Sequence, residues 1–187
     1  MRHLSPITFL GLFAVLLLLT SSLPTAHGQS AAGQVLAGEE KTKLLEQATV
    51  AQNAVNEWNA EEAVKTMPPF FVRMIGEENL RRQVKTSFEE CKADGVRFLE
   101  TTFGEPTAVH VSGAHEVCFV PRTSIVQMKS GNVRSKAFWV AVREKGAVEW
   151  KFLDGAPVHT NPKALWGLFP ELPKGIAFPE WTQEPVK

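Results

Sequence analysis

Residues Ala114 to Gly155 read AHEVCFVPRTSIVQMKSGNVRSKAFWVAVREKGAVEWKFLDG, and this stretch decides the fold. Val148, Trp150 and Phe152 alternate with Glu149, Lys151 and Leu153, and Phe138, Val140 and Val142 alternate with Ala137, Trp139 and Ala141. Apolar residues at period two are the mark of strands with a buried face. Ser130-Gly131-Asn132 and Glu144-Lys145-Gly146 put residues tolerant of positive φ between the runs, so antiparallel hairpins are expected. Parity assigns Phe138, Val140, Val142, Val148, Trp150 and Phe152 to the core face. The other parity, with Cys118, Val120, Trp139, Ala141 and Leu153, is apolar too and is expected to be covered by the tail or a second chain. The first run, His115 to Met128, contains Pro121. Proline cannot donate to a ladder, so a bulge, a bend or an edge is expected there.

The preceding residues read as helices for this sheet to wrap. In Glu39 to Ala60, the residues Leu44, Ala48, Ala51, Val55 and Trp58 share one face, with Glu46, Gln52, Asn53 and Glu57 opposite. Asn59 followed by Glu62 is a capping signal for a short second helix, ended by Pro68-Pro69; Pro69 can start a further turn to Gly76. Glu77 to Ala93 is another helix, with Leu80, Val84, Phe88 and Cys91 as its buried stripe and Arg81, Arg82, Lys85, Glu89 and Lys92 solvated. Val96 to Phe103 and Ala108 to Ser112 are short strands on either side of Gly104-Glu105-Pro106, giving a sheet of four or five strands. The order is that of an α+β fold, helices on one face of a curved antiparallel sheet.

At the start, one arginine precedes the apolar run Phe9 to Leu19, followed by Pro24 and Ala26-His27-Gly28. This is the pattern of a cleaved signal peptide over 1–28, and the run falls short of the ~20 residues a membrane span needs. The expected product is exported, periplasmic or extracellular, and free of the membrane after cleavage. Residues 29–40 read as a flexible lead-in and 41–155 as one domain. The 20 basic and 20 acidic side chains balance, and without a basic stripe to replace counterions a nucleic-acid partner is not expected. The tail, 156–187, has six prolines but also Leu165, Trp166, Leu168, Phe169, Ile176, Phe178 and Trp181. A linker would not carry these, so the tail is expected to lie on apolar surface, with one helical turn near Lys163 to Leu168.

Candidate chemistry is sparse. Asp154 continues the parity of Trp150 and Phe152, which would aim its carboxylate into apolar space and raise its pKa toward that of a general base; alternatively it closes a turn with Gly155 by accepting backbone N–H groups. His110, His115 and His159 lack metal-ligand spacing, and no cofactor or metal is expected. The chain has no Gly-x-Ser-x-Gly elbow, no phosphate-binding glycine loop and no tyrosine. Cys91 and Cys118 invite a disulfide in an exported chain, and each equally fits as an inert core thiol.

Pro69-Phe70-Phe71-Val72-Arg73-Met74-Ile75-Gly76-Glu77-Glu78, the Gly104-Glu105-Pro106 turn, the Val120-Pro121 step and Trp150-Lys151-Phe152-Leu153-Asp154-Gly155 together give the chain a pattern that resembles the nuclear-transport-factor-2-like superfamily of cystatin-like folds, closest to its exported bacterial members. The resemblance spans about Lys41 to Gly155. It implies a cone in which helices pack in the concave face of a strongly bent sheet around a pocket, often in a homodimer that packs sheet on sheet. Members include isomerases, dehydratases, cyclases and proteins without catalysis, so fold alone does not assign activity. The expected role is a binding or interaction module for a small apolar ligand, with Trp58, Phe70, Phe71, Phe88, Phe138, Trp150 and Phe152 lining the cone. The alternative is an isomerase-, dehydratase- or cyclase-type enzyme with Asp154 as base.

Overall fold

The computed structural model describes residues 33–186, and the expected leader, 1–28, lies outside them. The fold is α+β. Helices α1 (Gly38–Asn56), α2 (Ala60–Lys65), α3 (Pro69–Ile75) and α4 (Glu77–Ala93) come first. Strands β1 (Arg97–Phe103), β2 (His110–Ser112), β3 (His115–Met128), β4 (Gly131–Glu144) and β5 (Lys151–Asp154) follow. Helices α5 (Ala156–Thr160) and α6 (Lys163–Leu168) and strand β6 (Thr182–Pro185) complete the chain. The expected lead-in is held in its described part: Gln34 bridges Val109, and Leu36 is buried.

The helices end where their residues dictate. Asn59 caps α2, its side chain accepting from the Glu62 N–H at 3.1 Å. Pro69 opens α3 at a position where the missing N–H is no loss. Helix α1 stops at Asn56, short of Ala60. The Asn59 N–H reaches back to the Ala54 carbonyl, and Trp58 turns left-handed at φ 57°. That conformation costs a large L-residue about 1–2 kcal/mol. An edge contact of the Trp58 ring with Phe88 at 5.4 Å and a tilted contact with Phe98 at 6.0 Å offset it.

The sheet has six antiparallel strands in the order β1-β3-β4-β5, with β2 also on β3 and β6 also on β4. Its centre is the β3–β4 hairpin, paired from His115↔Glu144 to Met128↔Gly131. Each outer edge of the hairpin carries two short strands end to end, β1 then β2 on one side and β5 then β6 on the other. Pro121 sits just past the end of β1, whose last pair is Phe103↔Arg122. Its carbonyl takes the Gly104 N–H, and the absent proline N–H falls in the gap between β1 and β2, where no ladder partner waits. The sixth strand comes from the tail, which the alternation rules do not reach.

Both faces of the hairpin are buried, and their assignment is the reverse of the expected one. Cys118, Val120, Trp139 and Ala141 meet the helices, in a core with Leu44, Ala48, Val55, Leu80, Val84 and Phe88. Val117, Phe119, Phe138, Val140 and Val142 instead meet the tail, through Val158, Leu165, Phe169 and Leu172. The cause is the β4–β5 register, Ala141↔Phe152 and Val140↔Leu153. The turn between these strands shifts phase, so Trp150 and Phe152 lie with Trp139 and Ala141, and Val148 is 63% exposed. The tail covers a sheet face as expected, but the one carrying Phe138. Gln52, expected on the solvated side of α1, is buried; four residues from Ala48 and three from Val55, it belongs to the stripe.

The tail leaves the sheet through Gly155, whose N–H bonds the Phe138 carbonyl at 2.9 Å. Its φ of −78° suits any residue, but a Cβ here would lie 2.4 Å from the Phe138 ring. Gly155→Ala is therefore expected to cost about 1–3 kcal/mol through overpacking, a fall of about 2–4 °C per kcal/mol in Tm by thermal unfolding. An unchanged Tm would contradict this contact.

Candidate functional site

The site is built where α1 crosses the helix side of the sheet. Arg122 on β3 pairs with Ala137 on β4, and Asp154 on β5 pairs with Trp139. The two charged residues therefore stand diagonally on either side of β4, and the small Ala137 leaves room for the guanidinium to reach across. It lies 4.2 Å from the centre of the Trp139 ring. Arg122 Nη2 donates to Asp154 Oδ1 at 3.1 Å, and Nη1 donates to Gln52 Oε1 at 2.7 Å. Gln52 in turn donates from Nε2 to Asn56 Oδ1 at 2.8 Å. The side chains of Arg122 and Asp154 are 11% and 6% exposed, so this is a buried ion pair. Burial pulls the guanidinium below its ordinary pKa, and the Asp154 charge opposes that shift. A guanidinium stays charged even so.

Asp154 thus has both partners that a turn and a charge can supply, since Oδ1 also accepts the Ala156 N–H at 3.3 Å. The pair opens onto a cleft bounded by α1, α2, α3, β4, β5, α5 and α6, about 730 Å³ with its mouth included. Ala51, Val55, Met67, Phe71, Phe152 and Leu168 make most of its wall, and Thr66, Trp139 and Asp154 are its polar side chains. The Thr66 hydroxyl already donates to the Ala63 carbonyl at 2.8 Å. Trp139 is 4% exposed, yet its indole N–H has no hydrogen-bond partner among the described residues. Leaving such a donor unmet costs about 1–3 kcal/mol. A second, more polar groove of about 620 Å³ with its mouth holds Arg122, Ser124, Ser135, Trp181 and Gln183, and Asp154 borders both.

Of the seven aromatic residues expected to line one pocket, the cleft gathers Phe71 and Phe152. Phe88 is core beneath Trp58. Phe70 packs on His115 at 4.8 Å and on Phe169 at 5.7 Å. Trp150 lies under the Arg143 guanidinium, 4.5 Å away, and Arg143 is held by Glu116 at 2.5 Å. Phe138 is on the far side of the sheet with Phe119 and Phe178. Arg122, Gln52 and Trp139 are the residues that sequence reasoning passed over. The available signal was a charged residue continuing the apolar parity of Cys118 and Val120.

The remaining candidates lie elsewhere. His110, its pKa lowered by burial, sits on β2, His115 sits against Phe70, and His159 stacks on Trp181 at 4.9 Å. Among the described residues no group of three or more acidic, histidine or cysteine side chains is placed to hold a metal ion, and no helix is long and apolar enough to cross a membrane. Cys91 and Cys118 are free thiols, not the bridge that export would invite. Burial pushes them up to about 11 and about 12 respectively, so at neutral pH both are protonated and poor nucleophiles. No known protein-family model matches the chain, and no curated protein matches it.

Arg122→Met leaves Asp154 buried and unpaired, and is expected to cost about 3–5 kcal/mol in urea unfolding. Arg122→Met/Asp154→Leu, which removes both charges, is expected to recover most of that loss. Single and double variants equally destabilised would show that the two charges do not depend on each other.

Proposed function

We propose that this protein is an exported, non-catalytic binding module of the nuclear-transport-factor-2-like kind, with its helices in the concave face of a bent sheet and a small apolar molecule as its ligand. The observation that carries the binding reading is the wall of the cleft. Apolar side chains from α1, α2, α3, β5 and α6 converge there, and its one carboxylate is already neutralised by Arg122. Such a space favours an apolar guest and offers it no free base. The order of four helical pieces before an antiparallel sheet supports the family reading, and the export reading rests on Met1 to Gly28 alone.

The enzymatic alternative needs Asp154 to take a proton during turnover. Asp154 is instead tied to the protein, its Oδ1 accepting from Arg122 at 3.1 Å and from the Ala156 N–H at 3.3 Å, so the geometry argues against that reading. Pairing of two copies through the sheet is the other alternative. It would have to displace either the helices or the tail from the middle of the hairpin, since both faces there are covered.

Native mass spectrometry of freshly purified protein, with thermal-shift measurements across a panel of lipophilic metabolites, tests the binding reading. A ligand at a hundredfold excess over its Kd adds about 2.7 kcal/mol, or roughly 5–10 °C in Tm for a chain of this size. A clean apo mass with no shift across the panel would end it.

A further inference from the structure

We infer that α5 and α6 form the movable wall of the cleft, a flap that rolls on its seat against the sheet to let a guest in. The inference rests on the ligand-binding reading and adds how the site opens. Size poses the need. Without its mouth the cleft is a cavity of about 70 Å³, whereas an apolar cavity that admits benzene measures ~150 Å³. A lipophilic metabolite is larger than benzene, so one wall must give way.

The two walls are held differently. On the helical side, the Phe152 N–H donates to the Thr66 carbonyl at 2.8 Å and Lys151 Nζ to the Lys65 carbonyl at 3.0 Å. The Trp150 N–H donates to Gln47 Oε1 at 2.6 Å, and Arg122 Nη1 to Gln52 Oε1 at 2.7 Å. These bonds pin α1 and the end of α2 to the sheet. On the tail side, residues 157–170 make no hydrogen bond or ion pair with any residue before Gly155, among the described residues. The polar ties lie at the two ends of the segment. At one end, the Gly155 N–H meets the Phe138 carbonyl and the Ala156 N–H meets Asp154 Oδ1. At the other, the Glu171 N–H donates to Ser112 Oγ at 3.2 Å, and the Gly113 N–H donates to Glu171 Oε2 at 3.1 Å. A segment anchored at its ends and held between them by apolar contact alone moves at small cost, because its contacts slide without leaving a polar group unpaired.

Helix α6 shows which way the flap turns. Leu165 and Phe169, four apart, sit on the sheet, while Ala164 and Leu168, also four apart, line the cleft. Residues at that spacing share a stripe, so the helix presents one stripe to the sheet and the adjacent one to the guest. A roll about the seat of Leu165 and Phe169 draws Ala164 and Leu168 away from Met67 and Phe71 and leaves the sheet covered. The ring contact between α3 and the flap, Phe70 on Phe169 at 5.7 Å, is apolar and lies at the pivot.

The full chain with N-phenyl-1-naphthylamine, a neutral lipophilic dye, tests this through two readouts. Methyl relaxation-dispersion NMR of the free protein is expected to show exchange on the microsecond-to-millisecond scale of lids at Ala164 and Leu168, about fivefold stronger than at Ala51 and Ala63 on the helical wall. Saturating dye should quench it. In stopped flow, the rate of dye binding is expected to level off with dye concentration, since opening must precede entry. A rate that rises linearly throughout, or Ala164 and Leu168 as quiet as Ala51 and Ala63, would overturn the flap; dye-induced shifts at the cleft methyls would still leave the binding reading standing. No fluorescence change and no shift at any cleft methyl would remove the binding reading, and this inference with it.

Discussion

The middle of the β3–β4 hairpin is apolar on both of its faces, and the rest of the chain is arranged by that constraint. Val117, Phe119, Phe138, Val140 and Val142 on one side, and Cys118, Val120, Trp139 and Ala141 on the other, are all 4% exposed or less. Burying one large apolar side chain contributes about 1.5–3 kcal/mol, whereas a whole domain is stable by only about 5–15 kcal/mol. Leaving either face wet would therefore forfeit the fold. Helices α1 to α4 supply the cover on one side. On the other, the tail folds back through α5 and α6, seats Leu165 and Phe169 on the sheet, and ties itself to the edge of β4 as a sixth strand. The prolines that make this segment look like a linker shape a strap.

Much of this was legible from local pattern. The capping Asn59, the proline at the start of α3, most of the stripes of α1 and α4, the turn between β3 and β4 and the helical turn at Lys163 to Leu168 are each set by a few neighbouring residues, and the structure has them. Which sheet face meets which cover was not legible. Alternation fixes which residues of one strand belong together, but a one-residue change of phase in the turn after β4 exchanges the faces. Nothing local measures that phase, so Phe138 and Phe152, expected side by side, end on opposite sides of the sheet.

The candidate site shows the same limit in another form. A lone arginine in a strand or a lone glutamine in a helix reads as solvated, because such residues are mostly exposed. Arg122 and Gln52 are buried because they meet each other, and Arg122 meets Asp154 as well, across separations of 70 and 32 residues that no periodicity spans. The ion pair bears on register as well as on charge. A slip of one residue between β4 and β5 would turn Asp154 to the tail side and strand Arg122 among apolar neighbours, so the pair penalises the alternative pairing. It also holds the Trp139 ring from above, which is how a structural contact comes to shape the wall of a cleft.

One chain thus covers both faces of its own hairpin. Ending the chain at Asn161, which keeps α5 and removes α6 and β6, tests it most directly, with light scattering for mass and near-ultraviolet circular dichroism through a thermal ramp for packing. The shortened chain is expected to associate or aggregate and to lose its cooperative transition, because Phe119, Phe138 and Val140 are laid bare. A monomer that still melts cooperatively at the full-length midpoint would contradict it.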